Sequence, residues 1–258
     1  MGGDHNRSLL MQVGRDGVVM FGSALDAHLR VEEDGWLVLT NEAGADFNMA
    51  AILRSAPAAL LDKYVDEIEQ RGVGAVLLLD EGAPHLADAA RERGLSSVGT
   101  VPVMAWRANA LAPDPAAHEI RPGHESDVPG AIAAMADAFS LDESALGRVT
   151  PPEVVSAGTD LWIAEADGAV VGSCFFVRSG THVGVYSMAT RKAFQRRGIG
   201  RAILETAMRH YLEDGVTTFT LEATAEGLPL YERVGFRTEA EPPAFVVGAS
   251  HQFPGGEA

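Results

Sequence analysis

Cysteine is nearly absent from these 258 residues: the chain has one, Cys174. A single thiol allows neither a disulfide framework nor a cysteine zinc site. It sits in the apolar run 172–177 with no evident base beside it, so it reads as core packing rather than as a nucleophile. Metal-ligand spacing is missing as well. The eight histidines contain no His-Glu-x-x-His, no acidic run reads as a calcium loop, and no metal is expected.

No apolar run approaches membrane-spanning length, and the first thirty residues interrupt their short apolar pieces with Asp4, Arg7, Arg15 and Asp16. That pattern cannot form the apolar core of a secretory signal, and a cytoplasmic protein is expected. Basic charge is scarce too: 20 Lys and Arg stand against 36 Asp and Glu, a formal net charge of -16. A surface of that sign repels phosphates, which argues against nucleic acid or an anionic membrane as partner. It is compatible with a cationic amine. With 47% hydrophobic residues the chain can build a core, in one large domain or two ordinary ones.

The positive charge that does occur is concentrated. Arg191, Lys192, Arg196, Arg197 and Arg201 crowd one corner, between the β-prone run 184–190 and a segment with apolar residues at helical spacing: Ile199, Ala202, Ile203, Ala207, Met208, Tyr211. Gly198 and Gly200 thus lie where a strand becomes a helix. Glycine there lets an anion approach the backbone, and the first amides of a helix have no internal partner. The corner reads as a pyrophosphate clamp or as a solvated helix start whose arginines pair with surface acids. A β-rich run, 216–222, follows, and then a short helix at 229–234 ended by Gly235.

The order strand, Gln195-x-x-Gly198-x-Gly200, helix, strand, Leu230-Tyr231-Glu232-Arg233-x-Gly235-Phe236 resembles the GNAT acetyltransferase superfamily, whose members bind acetyl coenzyme A. The resemblance covers roughly 118–248. It implies that the backbone of Met188, Ala189 and Thr190 pairs with the pantetheine arm. It also implies that Gln195, Arg196, Arg197, Gly198, Ile199 and Gly200 hold the pyrophosphate with Arg201 beside them. The amide of Met188 or Ala189 would hold the oxyanion, and Tyr231, whose ordinary pKa keeps it protonated at neutral pH, would be the general acid. The alternative for Tyr231 is a packing role. Three positions depart from the family: Tyr186 stands for a glutamate, Lys192 for a proline, and Thr224, which the resemblance places among the cofactor-binding residues, for an asparagine seven residues before the tyrosine. They leave the base open. Glu222, at the end of its strand, is the candidate, with His182, Glu165 or a water as alternatives.

The first half is written in the same grammar. A helix from Ser55 as cap to Arg71, Gly72, a strand at 73–79, and a helix at 84–93 before Gly94 match the later helix, Gly215, strand, helix and Gly235. The offset is 143 residues at Gly72 and Gly215 and 141 at Gly94 and Gly235, which reads as a diverged internal duplication. The counterpart of the glycine turn, 52–57, has no glycine, and the counterpart of the Tyr231 helix has no tyrosine. Ahead of these come a terminus expected to fray at 1–8, one or two helices over 9–29 broken by Gly14, Gly17 and Gly22, and strands at 36–40 and 47–53. Later come a Pro- and Ala-rich linker at 107–117, an edge strand at 119–121, and a helix capped by Ser126 or Asp127. An irregular helical segment at 140–158 then leads to a three-strand meander over 161–190, turning at Asp167-Gly168 and Ser179-Gly180.

The expected fold class is therefore α/β (α+β), with two GNAT-like, mixed, mostly antiparallel sheets flanked by helices, the C-terminal one complete. The expected domains are 1–110, a degenerate GNAT-like half; 118–248, the catalytic GNAT domain; and 249–258, a flexible tail. The first half would serve as a structural partner, a wall of the acceptor pocket or a homodimer surface. The implied function is acetyl-CoA-dependent N-acetyl transfer to a small-molecule amine. The alternative is a repurposed GNAT fold, either another CoA-thioester reaction or a ligand-binding module.

Overall fold

The computed structural model describes residues 3–22, 27–107, 111 and 118–248, with side chains from Leu9 onward. The expected tail, and the expected linker apart from Arg107 and position 111, lie outside the described residues. The chain forms two compact units, one built mainly of residues up to Val103 and the other mainly of Met104–Leu221.

Helix α1 (Gly3–Phe21) begins inside the stretch expected to fray and runs unbroken through Gly14 and Gly17. Glycine inside a helix costs about 1 kcal/mol relative to alanine, so packing must offset it. At Gly14 the reason is direct: a Cβ there would lie 2.3 Å from the Trp36 ring, and the Trp36 indole donates to the Leu10 carbonyl at 2.8 Å. The expected helical region also stops short of Leu29, because β1 (His28–Val31) pairs antiparallel with β2 (Gly35–Leu39).

Strand β3 (Met49–Ile52), helix α2 (Ala58–Arg71) and strand β4 (Ala75–Leu79) form a parallel crossover, and α3 (Pro84–Glu92) leads to β5 (Ser96–Thr100). The expected cap Ser55 does not cap α2. Pro57 holds the N-cap position, and the Ser55 hydroxyl donates to Asp34 instead. Leu61, Tyr64, Val65 and Ile68 of α2 close over Leu37, Ile52, Leu77 and Leu79 to make the core of this unit. Burying each such side chain contributes about 1.5–3 kcal/mol.

In the second unit β6 (Val103–Arg107) and β7 (Glu119–Pro122) precede α4 (Val128–Phe139) and α5 (Glu143–Val149). Asp127 does not cap α4 through its side chain; its carboxylate accepts from the His124 amide and from both terminal nitrogens of Arg121. The meander forms as expected: β8 (Thr159–Ala166), β9 (Ala169–Ser179) and β10 (His182–Thr190), with Asp167 and Gly168 both at positive φ in the first turn. Helix α6 (Ile199–Glu213) buries all six residues of its apolar stripe and crosses to β11 (Thr218–Glu222), parallel to β10. Helix α7 (Leu228–Val234), β12 (Arg237–Ala240) and β13 (Pro243–Val247) complete the described chain.

The six-stranded sheet has the order β1-β2-β3-β4-β13-β5, and the seven-stranded sheet β12-β6-β11-β10-β9-β8-β7. Leaving out the edge strand β7, the two have the same plan. Each is a meander, a parallel crossover, and a next-to-last strand drawn from the far side of segment 107–117. Both are mixed and mostly antiparallel, as the sequence predicts, and seven α-helices occur among the described residues. No helix of the described residues is long and apolar enough to cross a membrane.

Candidate active site

The site is built where β10 leaves its parallel neighbour. Their paired register runs from His182 and Thr218 to Gly184 and Thr220, yet β10 continues to Thr190 and β11 to Glu222. On its other side β10 keeps pace with β9 through a bulge between Tyr186 and Ala189, and Ser187 at the bulge has a φ of 50°. A bulge increases local twist and re-aims the strand. Met188, Ala189 and Thr190 therefore lie on a stretch of β10 beyond its register with β11.

The eight residues 191–198 then turn the chain into α6. Arg196 and Gly198 take left-handed conformations, φ 63° and 84°, with Gly198 at the N-cap of the helix. Arginine there costs about 1–2 kcal/mol, which glycine avoids. Gly200 faces the strand end: a Cβ on it would lie 3.6 Å from Thr190 Oγ1, 3.7 Å from Met188 Sδ and 3.4 Å from Leu230 of α7. The strand end, the helix start and α7 thus meet at one corner. The first amides of α6, with no carbonyl a turn earlier to bond, are available to an anion there. Left-handed turn, side-chain-free Gly198 and Gly200, and adjoining strand backbone together fit a pyrophosphate joined to an extended amide-bearing arm.

The basic side chains are not equivalent. Lys192 is engaged by α4, its amide donating to Asp137 at 2.6 Å and its Nζ to Ser140 at 2.7 Å. Arg201 pairs at 2.7 Å with Glu205, a carboxylate only 1% exposed. Arg197 lies over the Phe194 ring at 5.2 Å and donates to the Ala193 carbonyl. Gln195 donates to the Thr190 carbonyl at 3.0 Å, and Ile199 is buried under the turn. Exposed Arg196 makes no hydrogen bond or ion pair among the described residues. Both readings of this corner thus find residues: Arg201 is paired with an acid, while Arg196 is left to solvent.

Tyr231 lies on α7, 8% exposed, its ring 5.9 Å from that of Phe236. Burial pushes its pKa above the ordinary tyrosine value, with the nearby Cys174 adding to the shift, so the hydroxyl stays protonated. Glu222 ends β11, half-buried as a residue, but its Oε1 is buried with no hydrogen-bond partner. Desolvation raises its pKa to about 7. An unpaired buried carboxylate oxygen is costly, and such groups concentrate at functional sites. Sequence position gave no sign of that shift, which comes from burial alone.

The alternative bases fare differently. His182 begins β10, six residues or roughly 20 Å of strand from Met188, and bonds Thr220 at 2.7 Å. Burial first, and then the charge of Arg107, lower its pKa to about 4. Glu165 is paired at 2.7 Å with Arg121. Cys174 is fully buried core, as expected, and burial pushes its thiol pKa up. Thr224 sits exposed in the turn after β11.

The first half repeats the crossover without the opening. Strands β3 and β4 stay in register to Ile52 and Leu79, and the Asp80 amide still donates to the Ile52 carbonyl at 2.9 Å. The Arg54 guanidinium closes over the strand ends on Asp80, with contacts of 2.8 and 3.0 Å. The connection to α2 is only 53–57, and its N-cap is Pro57, which has no amide hydrogen to offer where the second half presents Gly198.

The second sheet thus opens beside a glycine turn and a helix start, in a mixed α+β fold. Residues 157–238, from the start of the meander into β12, match the family model for the acetyltransferase (GNAT) domain. In structure the chain is similar to a GCN5-related N-acetyltransferase from Kribbella flavida, at 18% identity over 94% of this chain and 96% of that one, TM-score 0.68. It is similar to another from Sphaerobacter thermophilus, at 17% identity over 85% and 78%, TM-score 0.61. A tandem GNAT protein from the clavulanic acid biosynthesis pathway matches at 11% identity over 96% and 97%, TM-score 0.61. No curated protein matches the chain in sequence. Residues 157–238 are thus similar to the GNAT domain, and the chain shares its two-sheet fold with these structures.

Proposed function

We propose that the protein is an acetyl-CoA-dependent N-acetyltransferase acting on the amine of a small molecule. The observation that carries this reading is the loss of β10–β11 register beside the left-handed turn at Arg196–Gly198. Acetyl-CoA, when bound, supplies an acyl group already activated as a thioester. The turn and the first amides of α6 would hold the pyrophosphate, and the backbone of 188–190 would align the arm. The amide of Met188 or Ala189 would stabilise negative charge on the acyl oxygen as the amine nitrogen bonds to the acyl carbon and the carbon–sulfur bond breaks. Glu222, with a pKa raised to about 7, is partly ionised at neutral pH and would take a proton from the amine. Tyr231 would supply a proton to the departing sulfur.

Release of free thiol from acetyl-CoA across a panel of amines tests this. Amine-dependent release supports it. Release without any amine points to another CoA-thioester reaction, and CoA binding without turnover on any amine points to a binding module.

Coenzyme A is expected to bind with a stoichiometry of one per chain in calorimetry. The closed β3–β4 register, the Arg54–Asp80 pair and Pro57 leave the first half no anion turn. The same geometry supports reading that half as a duplicated copy that lost the cofactor. A stoichiometry near two, or binding retained in Gly198→Asp/Gly200→Asp, overturns this.

Arg196→Ala and Arg197→Ala are each expected to weaken CoA binding by about 1–3 kcal/mol, the range for a hydrogen bond to a charged group. The loss should be larger at low than at high salt, because ions screen such contacts. Unchanged affinity at both salt concentrations would reduce the two arginines to surface charge.

A further inference from the structure

We infer that His118 is a positioning residue for the anion-binding turn, holding its central peptide so that the Gly198 amide faces the ligand. The inference rests on the function proposed above. His118 immediately precedes β7, the edge strand paired with β8, and is 79 residues from Arg197 in sequence. Its Nε2 lies 2.9 Å from the Arg197 carbonyl oxygen. A carbonyl oxygen only accepts, so Nε2 carries the hydrogen and donates.

The carbonyl it holds lies between the two left-handed residues, Arg196 and Gly198. A non-glycine residue in that region persists only when surrounding contacts over-determine it. The start of the turn is tied to β9 by the Arg191 amide and to α4 by Lys192, and two side-chain bonds further on, Gln195 to Thr190 and Arg197 to Ala193, close within residues 190–197. His118 braces the central peptide itself, from another strand. In a trans peptide the C=O and N–H point in opposite directions. Fixing the Arg197 oxygen against the imidazole therefore fixes the Gly198 N–H on the far side, aimed where the first amides of α6 are free. The edge of the imidazole also stands 3.8 Å from where a Gly198 Cβ would be. One face of that glycine is thus occupied by His118.

The side chain acts through the turn and touches neither acyl group nor amine, so its effect belongs in cofactor affinity. Wild type, His118→Ala and His118→Gln would be compared by CoA calorimetry, by steady-state kinetics, and by hydrogen exchange of the segment 194–202 without ligand. For His118→Ala the expected result is a 3- to 10-fold rise in both the CoA Kd and the acetyl-CoA KM, the worth of about one hydrogen bond. The kcat at saturating acetyl-CoA and the KM for the amine should stay within twofold, and the unliganded segment should exchange faster. Glutamine, whose Nε2 can reach the same carbonyl, should restore most of the affinity. Affinity and exchange both equal to wild type in His118→Ala, or a loss confined to kcat, overturns the inference. If wild type itself binds no CoA, the proposed function fails. Exchange in the unliganded variants then still decides whether His118 holds the turn.

Discussion

Tyr231→Phe is expected to lower kcat by roughly 10²- to 10⁴-fold, the usual worth of a general acid, with little change in CoA affinity. The substitution removes one hydroxyl and leaves the ring, which packs edge-to-face against Phe236 at 5.9 Å. The hydroxyl makes no hydrogen bond to the described residues, so its loss strands no buried partner. Burial raises its pKa, which keeps the hydroxyl in the protonated form a general acid needs at neutral pH while making it a weaker acid than an ordinary tyrosine. A loss below tenfold would assign proton delivery to water or to the amine. Wild-type turnover on an established substrate would make Tyr231 a packing residue and end the general-acid assignment.

For Glu222→Gln two changes are expected, in opposite directions. In wild type kcat/KM should climb with pH through about 7, as Glu222 loses its proton and becomes able to accept one. The amide cannot ionise, so the variant should lack that limb and fall roughly 10²- to 10⁴-fold below wild type at pH 8. An amine substrate of low pKa keeps its own titration out of the profile. His182, held neutral with a pKa of about 4, titrates well below this window.

Stability should respond with the other sign. The folded-state pKa of Glu222 lies above its unfolded value of about 4.5, so its contribution to stability is fully present below pH 4.5 and is lost as pH rises through 7. Thermal melts should therefore favour the glutamine variant over wild type at pH 8 more than at pH 5. A pH limb that survives in Glu222→Gln would move the base elsewhere. A melting difference independent of pH would show that the carboxylate is not desolvated.

Much of the second half was legible residue by residue, because the signals are local. The stripe from Ile199 to Tyr211 repeats at helical spacing, and Asp167-Gly168 and Gly235, which end their elements, take positive φ. Each of these is set by a residue's own backbone preference or by neighbours three or four positions away. The same local rules misled at Gly14 and Gly17, helix breakers that sit inside α1; at Gly14 the Trp36 ring needs the space, while nothing in the structure explains Gly17. They misled again at Ser55, whose hydroxyl found Asp34, and at Asp127, whose carboxylate took Arg121 and the His124 amide rather than an amide of α4.

Strand order was beyond reach of such rules. An apolar run such as 243–247 announces that it will be buried, but not beside which neighbour, since any strand offers the same backbone donors and acceptors. That β13 completes the first sheet and β6 the second was decided by pairings across more than a hundred residues of chain. The same holds for the site. The glycines, the tyrosine and the arginines could be named from their spacing. The parting of β10 from β11, the raised pKa of Glu222, the Arg54–Asp80 closure and the reach of His118 to Arg197 depend on desolvation and on contacts between distant segments, which exist only once the chain has folded.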